Sequence, residues 1–289
     1  MSRLESIAHG ISLCVSDMAS LAKVAIRSKK GSRQRPVDPS RAIIILGNGP
    51  SLRGAIDHDR KVLDAFPLMG VNFFANTPDF NLLKPEYYIL ADGHFFDGRK
   101  SDPNVERLWR SIAGADWEMT LFVPANQLAR VGEWLAGRGV RLRSFNLTPV
   151  EGHSAVTHAL IRRGLGMPRP RNVLIPAIMT ALADGFGRIY LAGADHSWSK
   201  TLSVDSRNRV LSRQPHFYED NEKELDRVAA EYAGYHLHDI LLSLTIAFRS
   251  YHHILDYSRS IGAEIINVTP DSMIDAFPRA QLSEIQTSK

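Results

Sequence analysis

The stretch "AIIILGNGPSL", Ala42 to Leu52, decides the fold. Its first six residues, "AIIILG", form a continuous apolar run rich in β-branched side chains, the pattern of a strand buried on both faces. Gly47, Asn48, Gly49, Pro50 and Ser51 follow at once. Two glycines let the backbone approach a neighbour or a ligand closely. Pro50 suits the first turn of a helix, and Ser51 suits either its cap or a phosphate oxygen. The turn therefore reads in two ways, as a phosphate cradle or as a bare strand-to-helix turn. It is not a Walker loop, because no Gly-Lys-Ser/Thr follows, and not G-x-G-x-x-G, because Leu52-Arg53 stands where the third glycine belongs.

Working outward, further strands are expected at 67–72, 87–92, 119–124, 140–147, 188–195 and 263–270. Helices are expected at 125–137, at 173–187 with Pro176 in its first turn, over about 219–261, and in the short "SMIDAF" segment, 272–277. Strands alternating with helices predict a doubly wound, mostly parallel, Rossmann-like α/β sheet. The polar stretch 196–215 is too long for a simple connection and reads as a variable loop or lid, extending to about 235.

Residues 1–39 stand apart from the body at 40–289. Leu4, Ile7, Ile11, Cys14, Met18, Leu21 and Ala25 recur at steps of three and four, the stripe of an amphipathic helix over 4–26. "RSKKGSRQRP", Arg27 to Pro36, then supplies five basic residues. An apolar stripe followed by a basic cluster fits peripheral contact with an anionic membrane through residues 4–35. It fits equally a helix docked on the body, or one paired with a second copy of the chain in a homo-oligomer.

Charge supports the division. Residues 1–38 hold seven Lys/Arg and three acids; removing these from totals of 35 and 31 leaves 28 of each. The body is neutral, which argues against nucleic acid as partner. The single cysteine, Cys14, excludes an internal disulfide and fits a reducing, cytoplasmic setting. The uncharged run from Ser6 to Ser16 is far short of the ~20 residues a bilayer needs, and no secretory signal is expected.

In an open parallel sheet, ligands sit beyond the carboxyl ends of the strands. The exits here carry Gly47 to Ser51, Asn72, Asp92 to His94, Gly193 with Asp195 and His196, and Asn267 with Thr269. "IIILGNGPSL", the Asn at the second strand and "IYLAGADHSW" resemble the bacterial sialyltransferases of glycosyltransferase family 42. The opening motif also resembles the domain-of-unknown-function 115 group, which includes archaeal pterin diphosphokinases and flagellin-modifying proteins. The resemblance covers roughly residues 42–95 and 172–275.

That resemblance implies a single modified Rossmann-like, GT-A-like domain, a CMP-sugar donor as substrate, and no metal or other cofactor. It implies that Gly47, Asn48, Gly49, Pro50 and Ser51 line the nucleotide phosphate and sugar, that Asn72 contacts the donor, and that Asp92 meets the ribose. Gly193 and Asp195 would form the floor. The chain departs from the family where supporting tyrosines stand, having His196, Ser197 and Trp198, and at the family's catalytic histidine, where it has Leu244–Thr245.

The base must then come from chemistry. Glycosyl transfer needs a group near neutral pKa to take the acceptor's proton, and histidine suits it. His216, beside Tyr218, Glu219 and Asp220, is the first choice; His238 is second, and His196 is a candidate phosphate partner. Arg162, Arg163, Arg169 and Arg171 suit an acidic donor. The expected function is transfer of an acidic sugar, of sialic acid or Kdo type, to a glycan or lipid-linked acceptor at the inner face of the cell membrane. Two rivals remain. Asp92 and Asp195 at strand ends suit Mg²⁺ on a diphosphate, as a pterin-type diphosphokinase requires. A non-catalytic nucleotide-binding protein of a polysaccharide pathway is the other.

Overall fold

The computed structural model describes residues 3–31, 33–211, 217 and 234–286. Seven strands form one parallel sheet: β1 (Asp38–Leu46), β2 (Leu68–Val71), β3 (Tyr87–Ile89), β4 (Met119–Pro124), β5 (Val140–Phe145), β6 (Phe186–Ala192) and, last in the chain, β9 (Glu264–Asn267). Their spatial order is β5-β4-β3-β2-β1-β6-β9. A separate two-stranded ribbon, β7 (Ser203–Val204) with β8 (Val210–Leu211), lies within the polar stretch read as a lid.

Ile43 and Ile45 point into one hydrophobic layer, and Ile44 and Leu46 into the other; all four are fully buried. That two-sided burial is why this run carries no polar alternation. The first layer is closed by α8 (Ser154–Arg162), α9 (Leu174–Ala183) and α10 (Leu237–Ser260). The second is closed by α2 (Leu52–His58), α6 (Pro103–Ala113) and α7 (Leu128–Trp134). The doubly wound α/β class is thus observed.

The chain winds outward from β1 to β5 on one side, then returns to place β6 and β9 on the other. The reversal leaves a crevice between the carboxyl ends of β1 and β6, the place where such sheets bind ligands. Register aligns these exits: Leu46 pairs with Ala192 on one side and with Gly70 on the other.

Some expectations are corrected. "SMIDAF" is not a helix. The Ser272 hydroxyl donates to the Ala194 carbonyl, and the Met273 N–H to that of Asp195, which pins the segment along the β6 exit. The helix expected over 173–187 ends at Ala183, and Phe186 and Gly187 already belong to β6. Gly185, at φ +85°, makes the turn between them. Of the helix expected over 219–261, Leu237–Ser260 is present, and 219–233 lie outside the described residues. Helix α6 went unread, although Asp102-Pro103 signals it: Asp102 caps the Asn104 N–H and the proline opens the first turn.

The amino-terminal helix, α1 (Arg3–Arg27), lies on the body. Ser20, fully buried, donates to the Glu151 carbonyl and accepts from the Glu151 N–H. Asp17 accepts from the N–H and the Nδ1 of His153. Among the described residues, no helix is long and apolar enough to cross a membrane.

Candidate functional site

The crevice is built from two loops that meet backbone to backbone. The Gly47 N–H donates to the Ala192 carbonyl at 2.7 Å, and the Gly49 N–H to that of Gly193 at 2.9 Å. A methyl at Gly47 would lie 2.4 Å from the Gly193 oxygen, and one at Gly193, itself at φ +67°, would lie 2.3 Å from the Gly47 oxygen. Asp195 completes the clasp. Its Oδ2 accepts the Ser51 hydroxyl at 2.7 Å, and its Oδ1 accepts the Ser51 N–H at 3.2 Å.

This corrects the phosphate-cradle expectation. The N–H groups of Gly47, Gly49 and Ser51 are spent on protein oxygens, and Pro50 has none to give. A carboxylate already occupies the start of α2, where a phosphate would have gone. The turn is a β1–β6 clasp, with Asp195 as its latch. The β6 loop is itself fixed from β9: Thr269 donates to the Leu191 carbonyl and accepts from the Ala194 N–H.

What the clasp leaves open is an amide pair. The Asn48 side chain crosses to β2 and donates its Nδ2–H to the Val71 carbonyl at 3.2 Å, which brings it beside Asn72. Asn72 holds φ +49°, a left-handed conformation that asparagine tolerates and that clusters at functional sites. Tyr88 fixes it by donating to its carbonyl at 2.6 Å. The Oδ1 atoms of both asparagines are buried without a hydrogen-bond partner among the described residues. Each such oxygen costs about 1–3 kcal/mol. Two such acceptors on the loops at a topological switch point are suited to ligand hydroxyls or amines. Asn76, further along the same loop, has a third orphan Oδ1.

Phe217 closes one side. Its N–H donates to the Asn48 carbonyl at 3.0 Å, and its ring lies 5.8 Å from that of Phe74. Asp92 is exposed, with Oδ1 accepting the His94 N–H.

The histidines separate. His216 lies outside the described residues, next in sequence to Phe217. His238 is exposed in the first turn of α10 and meets Asp239 at 3.3 Å. Its neighbour His236 caps that helix. His196 is buried, and burial pushes its pKa down to about 3, so it is neutral near pH 7. Its Nε2 is 2.5 Å from the Tyr251 hydroxyl, which donates to Asn172 Oδ1. Asn172 in turn accepts from the Leu174 and Ile175 N–H groups at the start of α9. His196 is therefore a packing histidine, its ring tilted against that of Trp198 with centroids 4.1 Å apart, and the phosphate-partner role is withdrawn. Neither Tyr251 nor Asn172 is marked in the sequence, because nothing local to either one shows that residues 79 positions apart meet.

Arg169 is also committed, paired with Glu151 through both guanidinium nitrogens that face it. Arg162 and Arg163 flank the linker into β1, where the Gln34 N–H meets the Arg162 carbonyl, rather than the crevice.

No family model matches the chain, and no curated protein matches it significantly. A solved structure similar to it is that of MAf glycosyltransferase from Magnetospirillum magneticum AMB-1, at 12% identity and a TM-score of 0.49. The match covers 94% of this chain and 38% of that one, so this chain spans well under half the length of that protein.

Proposed function

We propose that this chain is a glycosyltransferase that moves an acidic sugar from a CMP-sugar donor to a cell-surface glycan acceptor. The observation that carries the reading is the pair of oxygens, Asn48 Oδ1 and Asn72 Oδ1, that are buried without a partner among the described residues at the switch point of the sheet. A cytidine nucleoside brings the matching donors, its ribose hydroxyls and exocyclic amine. With the glycine amides and Ser51 engaged in the clasp, the nucleoside rather than the phosphate is what this part of the crevice addresses.

The base is assigned to His216. It adjoins Phe217, the residue that hydrogen-bonds Asn48, whereas His196 is neutral and enclosed. Its role is to take the proton of the acceptor hydroxyl as that oxygen attacks the donor's anomeric carbon and CMP departs. The diphosphokinase reading keeps the exposed Asp92 for Mg²⁺ but has to share Asp195, both of whose oxygens are hydrogen-bonded to Ser51.

Thermal unfolding in the presence of CMP, and separately of ATP with Mg²⁺, tests this. CMP alone should raise the melting temperature, and Asn48→Ala should remove the rise. Stabilisation by ATP-Mg²⁺ only would replace the transferase with the diphosphokinase. No response to either ligand would reject both.

A further inference from the structure

We infer that α1 docks the protein on an anionic lipid surface, with its outward face in the interface and the basic linker at the headgroups. The inference stands independently of the sugar-transfer reading. Helix α1 is mounted with its polar side inward. Asp17, Ser20 and Lys23 meet His153 and Glu151, and Val24 packs on the core. The predicted apolar stripe consequently faces solvent: Ile11, Met18, Leu21 and the adjoining Val15 are each at least half exposed, and Ile26 is 82% exposed. A helix that needed only to bury its apolar side on the body would be turned the other way.

The chemistry of that face selects the occupant. From Ile11 to Ile26 the outward positions carry no charge at all: Ile11, Ser12, Cys14, Val15, Met18, Ala19, Leu21, Ala22, Ala25 and Ile26. A helix pair between two copies places charges beside its seam to set partner and register. Here the seam's neighbours are Val15 and Ala22 on one side, and Asp17 and Val24, both committed to the body, on the other.

The end of the face is strongly basic. Met18 to Val37 contains no acid. Arg27, Lys29, Lys30 and Arg33 are exposed, and none has an acidic partner among the described residues. Arg162 and Arg163 flank the same linker and are exposed too. A wide uncharged apolar face ending in clustered cations matches the interfacial helix of a peripheral protein. A second copy would instead bring like charge against like charge at the same end in a parallel pair.

The test is co-sedimentation of the full chain with vesicles of phosphatidylcholine, with and without phosphatidylglycerol. Binding should require the anionic lipid and should weaken as salt shortens the screening length from about 8 Å at 0.15 M to about 3 Å at 1 M. Met18→Glu should abolish it. Lys29→Gln with Lys30→Gln should weaken it about thirty-fold, at about tenfold per 1.4 kcal/mol and about 1 kcal/mol for each basic residue. All these side chains are exposed, so melting temperatures should stay put; should Met18→Glu fail to fold, the double lysine variant still decides. Failure to bind anionic vesicles, or binding indifferent to both variants, overturns the inference. A dimer by light scattering that Met18→Glu disperses, with no vesicle binding, assigns the face to a second copy and overturns it as well.

Discussion

Gly47 and Gly193 meet at a distance that excludes a methyl group from either one, because the nearest atoms are carbonyl oxygens of the opposing backbone. Gly47→Ala should therefore lower the unfolding free energy by about 1–3 kcal/mol through forced separation of β1 and β6. Urea unfolding would register it as a lower midpoint at unchanged slope; an unchanged midpoint would mean that the two loops part freely. Sequence reading marked both glycines but gave Gly47 to a ligand. The contact that is invisible in the sequence lies half the chain away, in a loop whose approach depends on how the sheet reverses. Asp195 was misplaced for the same reason: a carboxylate at a strand exit looks free until Ser51 is found on it. Asn48 and Asn72 were legible as site residues, since a strand exit alone puts them in the crevice, but not as neighbours. That took the Asn48 hydrogen bond to Val71.

Helix α1 was legible as a helix and illegible in orientation. A three-and-four repeat of apolar residues specifies one face, and says nothing about whether that face or its opposite meets the body. The opposite face wins because it finds specific polar partners, continued past its end by Asn146. That side chain, itself buried, accepts the Lys29 N–H at 2.9 Å and donates to the Lys29 and Gly164 carbonyls at 2.9 and 2.7 Å. Asn146→Ala should cost about 1–3 kcal/mol, since one donor and two acceptors lose their partner in a part-buried site. Amide hydrogen exchange gives the sharper reading. The Lys29 N–H should lose its protection while amides of the buried strand β1 keep theirs. Unaltered exchange at Lys29 would show that the linker is held by other contacts, such as the Ser28 hydroxyl on Leu165.

Across the whole molecule, His196, with smaller shares from His158 and His253, and the paired carboxylates set one pH dependence with two stages. The His196 ring has a folded pKa of about 3 against 6.5 when exposed, so between those values the unfolded chain binds a proton that the folded chain refuses. Its contribution to stability is intact above 6.5 and falls as the pH drops, by about 2 kcal/mol at about pH 5. Glu151 and Asp102 act lower down. The Arg169 hydrogen bond holds Glu151 below its usual 4.5. At Asp102, burial pushes the pKa up, but the Asn104 N–H and His94 outweigh it, leaving the group below 3.8. Their contributions are present above those ordinary values and are lost as the pH falls through the folded ones. Urea unfolding across this range should show a decline starting near 6.5 and steepening below about 4.5. His196→Asn separates the stages, because asparagine accepts the φ of +52° and carries no titrating ring. The variant should start less stable, having lost the ring contact with Trp198, and should decline less steeply between 6.5 and about pH 5, the slope that remains belonging to His158 and His253, which desolvation also holds below 6.5. Parallel declines in the two proteins would mean that the upper stage belongs to another group, and would reopen His196 as an ionisable residue beside the crevice.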